Sequence, residues 1–322
     1  MRSTRIVSLT LALGIGAALA GCGGDAPAPT GAGASPSASE GGGDAGALAG
    51  ASLIVGSKEF TESVLLGKIT QLALEDAGAT VTDKTGISGS ATVRTALESR
   101  EIDMYWDYTG TGWVNILKHT TTDLPADLYQ AVAKEDGQKN SVAWLPPAPF
   151  ENSYAIAVKK DFADANGLTT MSQAIDHLKA NPGDSTVCAA SEFLNRDDGL
   201  PGLHKAYDFT FSKVNELEFN LIFTQIGKSC PFGEVTTTDG RILANGLTVL
   251  EDDKDFFLEY RGALTLRQET LTRYPAIADV IEPINEKLTD EVLTELNSKI
   301  DVDAEEPADV AQTWLESQGL LG

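Results

Sequence analysis

The chain has 322 residues, a formal net charge of -23 at pH 7 and a sequence pI of about 4.4. Because binding of nucleic acid requires a basic surface, this charge excludes nucleic acid as a partner. Solubility is the first explanation of the acidic excess, and attraction of cationic ligands is the second.

Residues 1–21 have the pattern of an export signal. A short basic start precedes an apolar run over residues 6–20, which is too short to span a membrane comfortably. The sequence LAGC at residues 19–22 resembles the lipobox of bacterial lipoproteins. That resemblance implies cleavage before Cys22 and attachment of lipid to its sulfur. An ordinary secretory signal with a chance cysteine is the alternative.

Residues 22–50 consist mainly of Gly, Ala, Ser and Pro, with almost no large apolar side chain. Such a segment cannot bury enough surface to offset the entropy of ordering it, so we expect a flexible linker after the lipidated cysteine. The prediction is an exported protein held by a lipid anchor at the outer face of the cell membrane.

From residue 52 onward, strand and helix patterns alternate. SLIVGSKEF predicts a strand, TESVLLGKITQLALEDAG a helix, ATVTDKT a strand, SATVRTALESR a helix and EIDMYWDY a strand. Thr61 is the predicted N-cap and Gly78 the predicted stop of the first helix, and Ser90 opens the second. This order predicts α/β architecture with a largely parallel sheet.

The alternation returns after residue 153. YAIAVKK, STVCAA and ANGLTVLEDD predict strands, whereas MSQAIDHLKANPG, DGLPGLHKAYDF, TDEVLTELNSKI and EPADVAQTWLESQGLL predict helices. In the last of these, Pro307 lies near the first turn, and Val310, Trp314 and Leu315 share one side. Two rounds of α/β structure predict two lobes.

Besides Cys22, the chain has two cysteines, Cys188 and Cys230. In an exported protein the simplest prediction for such a pair is a disulfide. The three histidines are scattered, without ligand spacing to a cysteine, so no metal site is expected.

Ligands of α/β proteins tend to bind near the carboxyl ends of strands. GSKEFTE follows the first strand and places Lys58 where its ammonium could hold a carboxylate; a solvated surface lysine is the alternative. YWDYTGTGW follows the third strand and sets rings beside a polar turn. Aromatic rings at a crevice suit a cationic ligand. We interpret Tyr108 in this way, and Trp106 and Trp113 as packing residues.

Nothing in the sequence requires catalysis. Asp103 and Asp107 have strand spacing but no supporting groups, and the motifs of serine hydrolases, zinc proteases and phosphate-binding loops are absent from the sequence. We therefore predict no catalytic residues and no cofactor.

Five segments resemble, in their order and separations, those of a known protein family: VGSKEFTES, DMYWDYTGTGW, SEFLNRDDGLPGL, TTDGRI and VLEDDKDFF. Together they resemble the substrate-binding proteins of ABC importers for glycine betaine, choline and related quaternary amines. The resemblance implies a two-lobed periplasmic-binding-protein fold of type II, with two crossings between lobes that close on the ligand. The lobes implied are residues 52–153 plus 255–322, and residues 154–254.

The resemblance also implies a set of ligand-binding residues. The cage tyrosines would be Tyr108, Tyr154 and Tyr260, and the carboxylate would be held by Lys58, Thr111 and Arg196. Where relatives often carry a further tyrosine, this chain reads VTTTDGR, with Thr236 or its neighbour in place of the ring. One wall of the cage is therefore expected to be missing, which admits other zwitterions such as carnitine or a histidine betaine.

These inferences predict a non-enzymatic receptor, monomeric, that captures a quaternary amine and passes it to a membrane permease powered by an ATPase. A receptor for an amino acid or another zwitterion is the first alternative, and an exported hydrolase is the second.

Overall fold

The computed structural model describes residues 46–322. The predicted export signal, the predicted lipidation of Cys22 and most of the predicted linker lie outside these residues. Within residues 46–322, no helix combines the length and the apolar character needed to cross a membrane.

The described residues form ten strands and fourteen helices. The strands are β1 Ser52–Lys58, β2 Thr80–Ile87, β3 Met104–Tyr108, β4 Val142–Trp144, β5 Tyr154–Lys159, β6 Thr186–Ala189, β7 Lys213–Glu216, β8 Phe232–Thr236, β9 Leu247–Leu250 and β10 Gly262–Arg267. The helices are α1 Thr61–Asp76, α2 Ser90–Glu98, α3 Thr109–Thr111, α4 Leu128–Asn140, α5 Lys160–Asn166, α6 Met171–Ala180, α7 Ser191–Leu194, α8 Leu200–Tyr207, α9 Phe219–Gln225, α10 Arg241–Ala244, α11 Gln268–Arg273, α12 Ala276–Asn285, α13 Asp290–Asp301 and α14 Pro307–Ser317. A π-helical turn, Gly112–Ile116, follows α3, and a 3-10 turn, Pro182–Asp184, follows α6.

The strands form two five-stranded mixed sheets with the same layout. Their orders are β2-β1-β3-β10-β4 and β7-β6-β8-β5-β9. In each sheet three neighbouring strands run parallel, and the fourth, β10 or β5, runs antiparallel to its neighbours. We call the residues around the first sheet the first lobe and those around the second sheet the second lobe. The prediction of α/β architecture is confirmed.

The chain passes between the two sheets twice, once between β4 and β5 and once between β9 and β10. The lobe boundaries expected from the sequence fall in these two connections and stay a prediction. A ligand held between the two sheets can contact both lobes, so the space between the sheets, beside these connections, is the expected place for a functional site.

Each lobe has its own hydrophobic core. In the first lobe, α1 buries Leu65, Leu66 and Ile69, and α14 buries the side that contains Val310 and Trp314. Full burial of one such aliphatic side chain contributes about 1.5–3 kcal/mol to folding. The second sheet has a core on each face.

The start of α1 differs from the prediction. Phe60 occupies the N-cap position and Thr61 is the first helical residue, so Thr61 is not the cap. Its hydroxyl instead donates to Asp301 Oδ1 at 2.6 Å, because α13 packs beside this end of the helix. At the other end, Gly78 has φ +93°, a conformation that favours glycine and stops the helix as predicted.

Cys188 lies in β6 and is joined to Cys230, just before β8, with their Cα atoms 5.8 Å apart. Both residues are buried in a core of the second lobe. Among residues 46–322 no cluster of side chains is suited to hold a metal ion.

Replacing both cysteines, Cys188→Ala with Cys230→Ala, should lower the free energy of unfolding by about 2–4 kcal/mol, because the bond closes a loop in the unfolded chain. Urea unfolding of both proteins, with and without reductant, measures the loss. Reductant should destabilise the wild type alone. A double variant with the unfolding midpoint of the wild type would contradict the assignment.

Candidate ligand-binding site

The ends of several strands meet where the two sheets face each other. The parallel strands β1, β3 and β8 end at Lys58, Tyr108 and Thr236. The antiparallel strand of each sheet begins at the same edge at which its parallel neighbours end, so Tyr154 at the start of β5 and Tyr260 just before β10 reach the same region. The strand pattern of both sheets thus brings together residues far apart in sequence.

A cavity of about 90 Å³ lies at this meeting point. Six of the seven ligand-binding residues predicted from the sequence line it: Lys58, Tyr108, Thr111, Tyr154, Thr236 and Tyr260. The seventh, Arg196, does not line it but lies just behind, where its Nη2 donates to Thr111 Oγ1 at 3.3 Å. A wider cleft of about 1320 Å³ shares Phe60, Glu192 and Phe219 with the cavity and connects it to the surface.

Five aromatic rings surround the cavity. Tyr154 and Tyr260 meet edge to face with their centroids 5.5 Å apart. Phe60, from the first lobe, lies 6.1 Å from Tyr108 and 6.4 Å from Phe219 of the second lobe, centroid to centroid. Phe60 and Phe219 are thus rings that the sequence reasoning missed, although Phe60 stands in the GSKEF segment that it singled out.

Hydrogen bonds outside the cavity fix two of the tyrosines. Tyr108 donates its hydroxyl to Glu62 Oε1 at 2.7 Å, and Tyr260 donates to Asp198 Oδ2 at 2.5 Å. Glu62 also accepts from Asn152 Nδ2 and from Thr238 Oγ1. Burial raises the pKa of the Glu62 carboxyl, and these hydrogen bonds offset part of that rise. The ring orientations are therefore set by the protein itself.

Lys58 is buried, with 4% of its surface exposed, so the surface-lysine alternative is wrong. Its Nζ lies 2.7 Å from Asp107 Oδ1 and 5.0 Å from the centroid of the Tyr108 ring. The ammonium is therefore ion-paired and covers one face of Tyr108. A ligand carboxylate could therefore use only those N–H donors of the ammonium group that Asp107 leaves free.

Arg196 is also buried and ion-paired. It donates from Nε and Nη2 to Asp198, at 2.8 and 2.5 Å, and from Nη1 to Glu192 at 2.7 Å. Its guanidinium carbon lies 5.3 Å from the centroid of the Tyr154 ring. One carboxylate, Asp198, thus holds both Arg196 and the hydroxyl of Tyr260.

Two glutamates of the cavity have pKa values shifted in opposite directions. Burial alone would raise the pKa of Glu192, but Lys58, Arg196 and hydrogen bonds from Ser90 outweigh it and lower the pKa to about 2. For Glu234, burial raises the pKa to about 8, against a hydrogen bond from the Ala190 N–H. The sequence reasoning did not single out either glutamate.

The segment Thr-Gly-Thr-Gly is not the flexible polar turn that its composition suggested. It is buried and helical, forming α3 and the start of the π-helical turn. A Cβ on Gly110 would lie 2.6 Å from Cε1 of Tyr260, so the absence of a side chain there lets the tyrosine approach. Trp106 and Trp113 are packing residues: Trp106 donates to Thr70 Oγ1, and Trp113 stacks on His119.

Residues 51–317 match the family model described as the substrate binding domain of ABC-type glycine betaine transport systems. The chain belongs to this family. The family is a transport component rather than an enzyme, so the hydrolase alternative is not favoured, and the predicted family resemblance is confirmed.

Similar proteins agree with this family assignment. The glycine-betaine-binding protein of Pseudomonas aeruginosa is 33% identical over 86% of this chain and 91% of its own length. The ergothioneine transport permease/ergothioneine binding protein EgtU of Helicobacter pylori is 32% identical over 83% of this chain but 48% of its own length. The structure of YehZ from Escherichia coli in its apo form has a TM-score of 0.61 and 30% identity, covering 83% of this chain and 99% of that one. The likeness confirms the periplasmic-binding-protein fold.

In this binding protein, Asp107→Ala should lower the free energy of unfolding by about 3–5 kcal/mol, because it leaves the buried ammonium of Lys58 without its counter-charge. Denaturant unfolding measures the loss, and Lys58→Met combined with Asp107→Leu should recover part of it. Asp83→Ala, which breaks the more exposed pair with Lys68, is the matched control and should cost much less. Equal losses at both sites would contradict the buried-pair assignment.

Proposed function

We propose that the chain is the extracytoplasmic receptor of an ABC importer and that it captures a small quaternary amine between its two lobes. Glycine betaine, choline and related betaines are the candidate ligands. The observation that carries this proposal is the set of five aromatic rings around one cavity between the sheets. The ligand-binding roles of individual residues are part of the same proposal.

The chemistry of the cavity suits a cationic headgroup. The negative face of an aromatic ring attracts a cation by about 0.5–2 kcal/mol, and a quaternary ammonium group is large, apolar at its surface and unable to donate a conventional hydrogen bond. Rings with fixed orientations can enclose such a group without reorganisation. Phe60 and Phe219 add aromatic surface to the lining of the cavity.

The three proposed carboxylate-binding residues lie at or beside the cavity. Thr111 lines it, Arg196 contacts Thr111, and Lys58 approaches from the end of β1. Lys58 and Arg196 carry two positive charges, but Asp107, Asp198 and Glu192 place three negative charges on them. A ligand carboxylate would therefore bind to hydrogen-bond donors in a setting with one net negative charge, which makes the carboxylate less decisive than the ammonium group.

Contacts between the lobes explain how binding and closure would be coupled. Glu192 of the second lobe accepts from Ser90 N at 3.0 Å and from Ser90 Oγ at 2.6 Å, both at the first residue of α2. Rings from both lobes reach the cavity. A ligand that touches both lobes favours the conformation in which they meet, whereas one that touches a single lobe shifts nothing.

The remaining partners follow from the proposed transport role. A permease with its ATPase would receive the ligand, and a lipid on Cys22 would hold the receptor, as a monomer, at the outer face of the membrane. The Gly-, Ala-, Ser- and Pro-rich composition of residues 22–50 supports the linker that such an anchor requires.

Tyr154→Leu and Phe219→Leu should each weaken binding of choline and glycine betaine by at least about tenfold, which is about 1.4 kcal/mol. Leucine keeps apolar volume but removes the ring face, so the loss reports on attraction between ring and cation. Isothermal titration calorimetry gives the affinities. Tyr274→Leu replaces a ring outside the cavity and should bind like the wild type.

Two results would contradict the proposal. If unmethylated amino acids bind more tightly than any quaternary amine, the receptor belongs to the amino-acid alternative. If both ring variants keep the affinity of the wild type, the rings do not bind the ligand.

The proposed lipid anchor has its own test. Cys22→Ser should move the protein from the membrane fraction of expressing cells to the medium or the soluble fraction, because serine cannot receive the thioether-linked lipid. Cell fractionation with immunoblotting measures the distribution, and Cys188→Ser is the control that should stay in the membrane fraction. A membrane-bound Cys22→Ser variant would refute lipidation at this residue.

A further inference from the structure

Glu234 lies at the inner end of the cavity, in the second lobe. It occupies the middle of β8, where Phe232, Glu234 and Thr236 share one face of the strand. Phe232 is buried in the core, Thr236 lies at the strand end, and both Glu234 and Thr236 line the cavity. At about 3.3 Å per residue along a strand, the Cα atom of Glu234 lies about 7 Å further into the lobe than the Cα atom of Thr236.

One oxygen of this carboxyl group is used by the protein and the other is not. Oε2 accepts from the Ala190 N–H at 2.7 Å. Among residues 46–322, no hydrogen-bond donor lies within reach of Oε1. The side chain is 2% exposed, so Oε1 faces the cavity rather than the outer surface. A carboxyl oxygen that is open to the cavity can accept a hydrogen bond from a donor on a ligand.

The short side chain of Thr236 keeps this oxygen accessible. Tyr154 pairs with Thr236 across the sheet, and Ile156 pairs with Glu234, so Thr236 lies two residues nearer the strand end than Glu234, on the same face. A tyrosine at position 236 would add a ring on this face beside the carboxyl group. Threonine adds none.

We infer that Glu234 determines specificity: its Oε1 accepts a hydrogen bond from an O–H or N–H group that the ligand carries besides its quaternary ammonium. This inference deepens the proposed function and rests on it. It assigns the ligand to donor-bearing quaternary amines, such as an amino alcohol or an imidazole betaine, in preference to glycine betaine, which has no donor.

The surrounding charges fit this assignment. Glu192 of α7 and Arg196, two residues after that helix, act on Glu234 from one side, and Lys58 and Glu59 line the cavity from the end of β1. Glu192, with its pKa lowered to about 2, stays ionised at any working pH. The phenols of Tyr108, Tyr154 and Tyr260 have pKa values raised well above 10 by burial and stay neutral. Glu62, on α1, is held by its own hydrogen bonds beneath Tyr108.

Choline and its O-methyl ether form the sharpest pair of probes, because they differ by one hydroxyl donor. Calorimetry at pH 8.5 on the exported part of the chain, where Glu234 is mostly ionised, should show choline binding at least about tenfold more tightly than the ether, as expected for a hydrogen bond to a charged acceptor. Ergothioneine, with ring N–H groups, and glycine betaine, with none, form a second pair that should differ in the same direction.

Two variants test the residue. Glu234→Leu should reduce both affinity ratios to within about threefold, because the acceptor is gone. Thr236→Tyr should have the same effect with Glu234 intact, since the ring covers Oε1. Glu282→Gln, on the exposed side of α12, removes a distant carboxylate and should keep the ratios of the wild type. Thermal unfolding confirms that each variant is folded before it is titrated.

The pH dependence has a defined sign. The pKa of Glu234 is raised to about 8, so ionisation above that value creates the stronger acceptor. Affinity for choline should therefore rise at least about fivefold between pH 6.5 and pH 8.5, with release of a proton near pH 7. Glu234→Gln should show no such rise. If affinity falls with rising pH instead, the neutral acid donates to the ligand and the inference is overturned.

The possible failures are distinguishable. Failure of every quaternary amine to bind refutes the proposed function and the inference with it. Equal binding of choline and its ether by the wild type, together with tight binding of glycine betaine, refutes the role of Glu234 while the proposed function stands. Unchanged ratios in both Glu234→Leu and Thr236→Tyr also refute it.

Discussion

The site depends on the partnering of charges that are buried between two lobes. Lys58 and Arg196 are almost wholly removed from water, and such cations are tolerated in a protein only when carboxylates neutralise them. Asp107 and Asp198 do so, and the same carboxylates also hold tyrosines: Asp107 accepts from Tyr105, and Asp198 accepts from Tyr260. The ion pairs therefore do more than satisfy charge. Tyr260 lines the cavity, so Asp198 both neutralises Arg196 and fixes the orientation of one of the rings in the cavity wall.

This arrangement separates two tasks that a binding protein must perform. Glu62 holds Tyr108 within the first lobe, so this wall exists before any ligand arrives and little ordering entropy is lost on binding. Other hydrogen bonds join the two lobes beside the cavity: Glu192 accepts from Ser90, Arg196 donates to Thr111, and Tyr260 donates to Asp198. Because each bridging contact contributes a small free energy, a ligand that adds contacts to both lobes can change the balance between open and closed conformations.

Much of the fold could be read from the sequence, and the reasons for the exceptions are physical. Strands β1, β2, β3, β5, β6 and β9 were predicted, from apolar alternation or a short apolar run in the sequence. Strands β4, β7, β8 and β10 were missed. FGEVT contains a glycine and a buried glutamate, and GALTLR is buried on both faces without a turn signal of its own. Tyr108 and Lys58 could be placed from strand ends alone, whereas Phe219 and Glu234 enter the site through α9 and β8, whose positions depend on how distant strands pair.

The loss of a ring at position 236 and the presence of an acid at position 234 are best understood together. A buried carboxyl group left with an unsatisfied oxygen costs about 1–3 kcal/mol, so a tyrosine that closed over Glu234 would have to supply a donor or impose that cost. Threonine leaves the oxygen facing a cavity in which a ligand can meet it. Phe60 and Phe219 meanwhile provide aromatic surface from other elements. The cage is therefore not a tyrosine cage with one wall removed. It is a differently built cage, with rings at its mouth and a hydrogen-bond acceptor at its inner end.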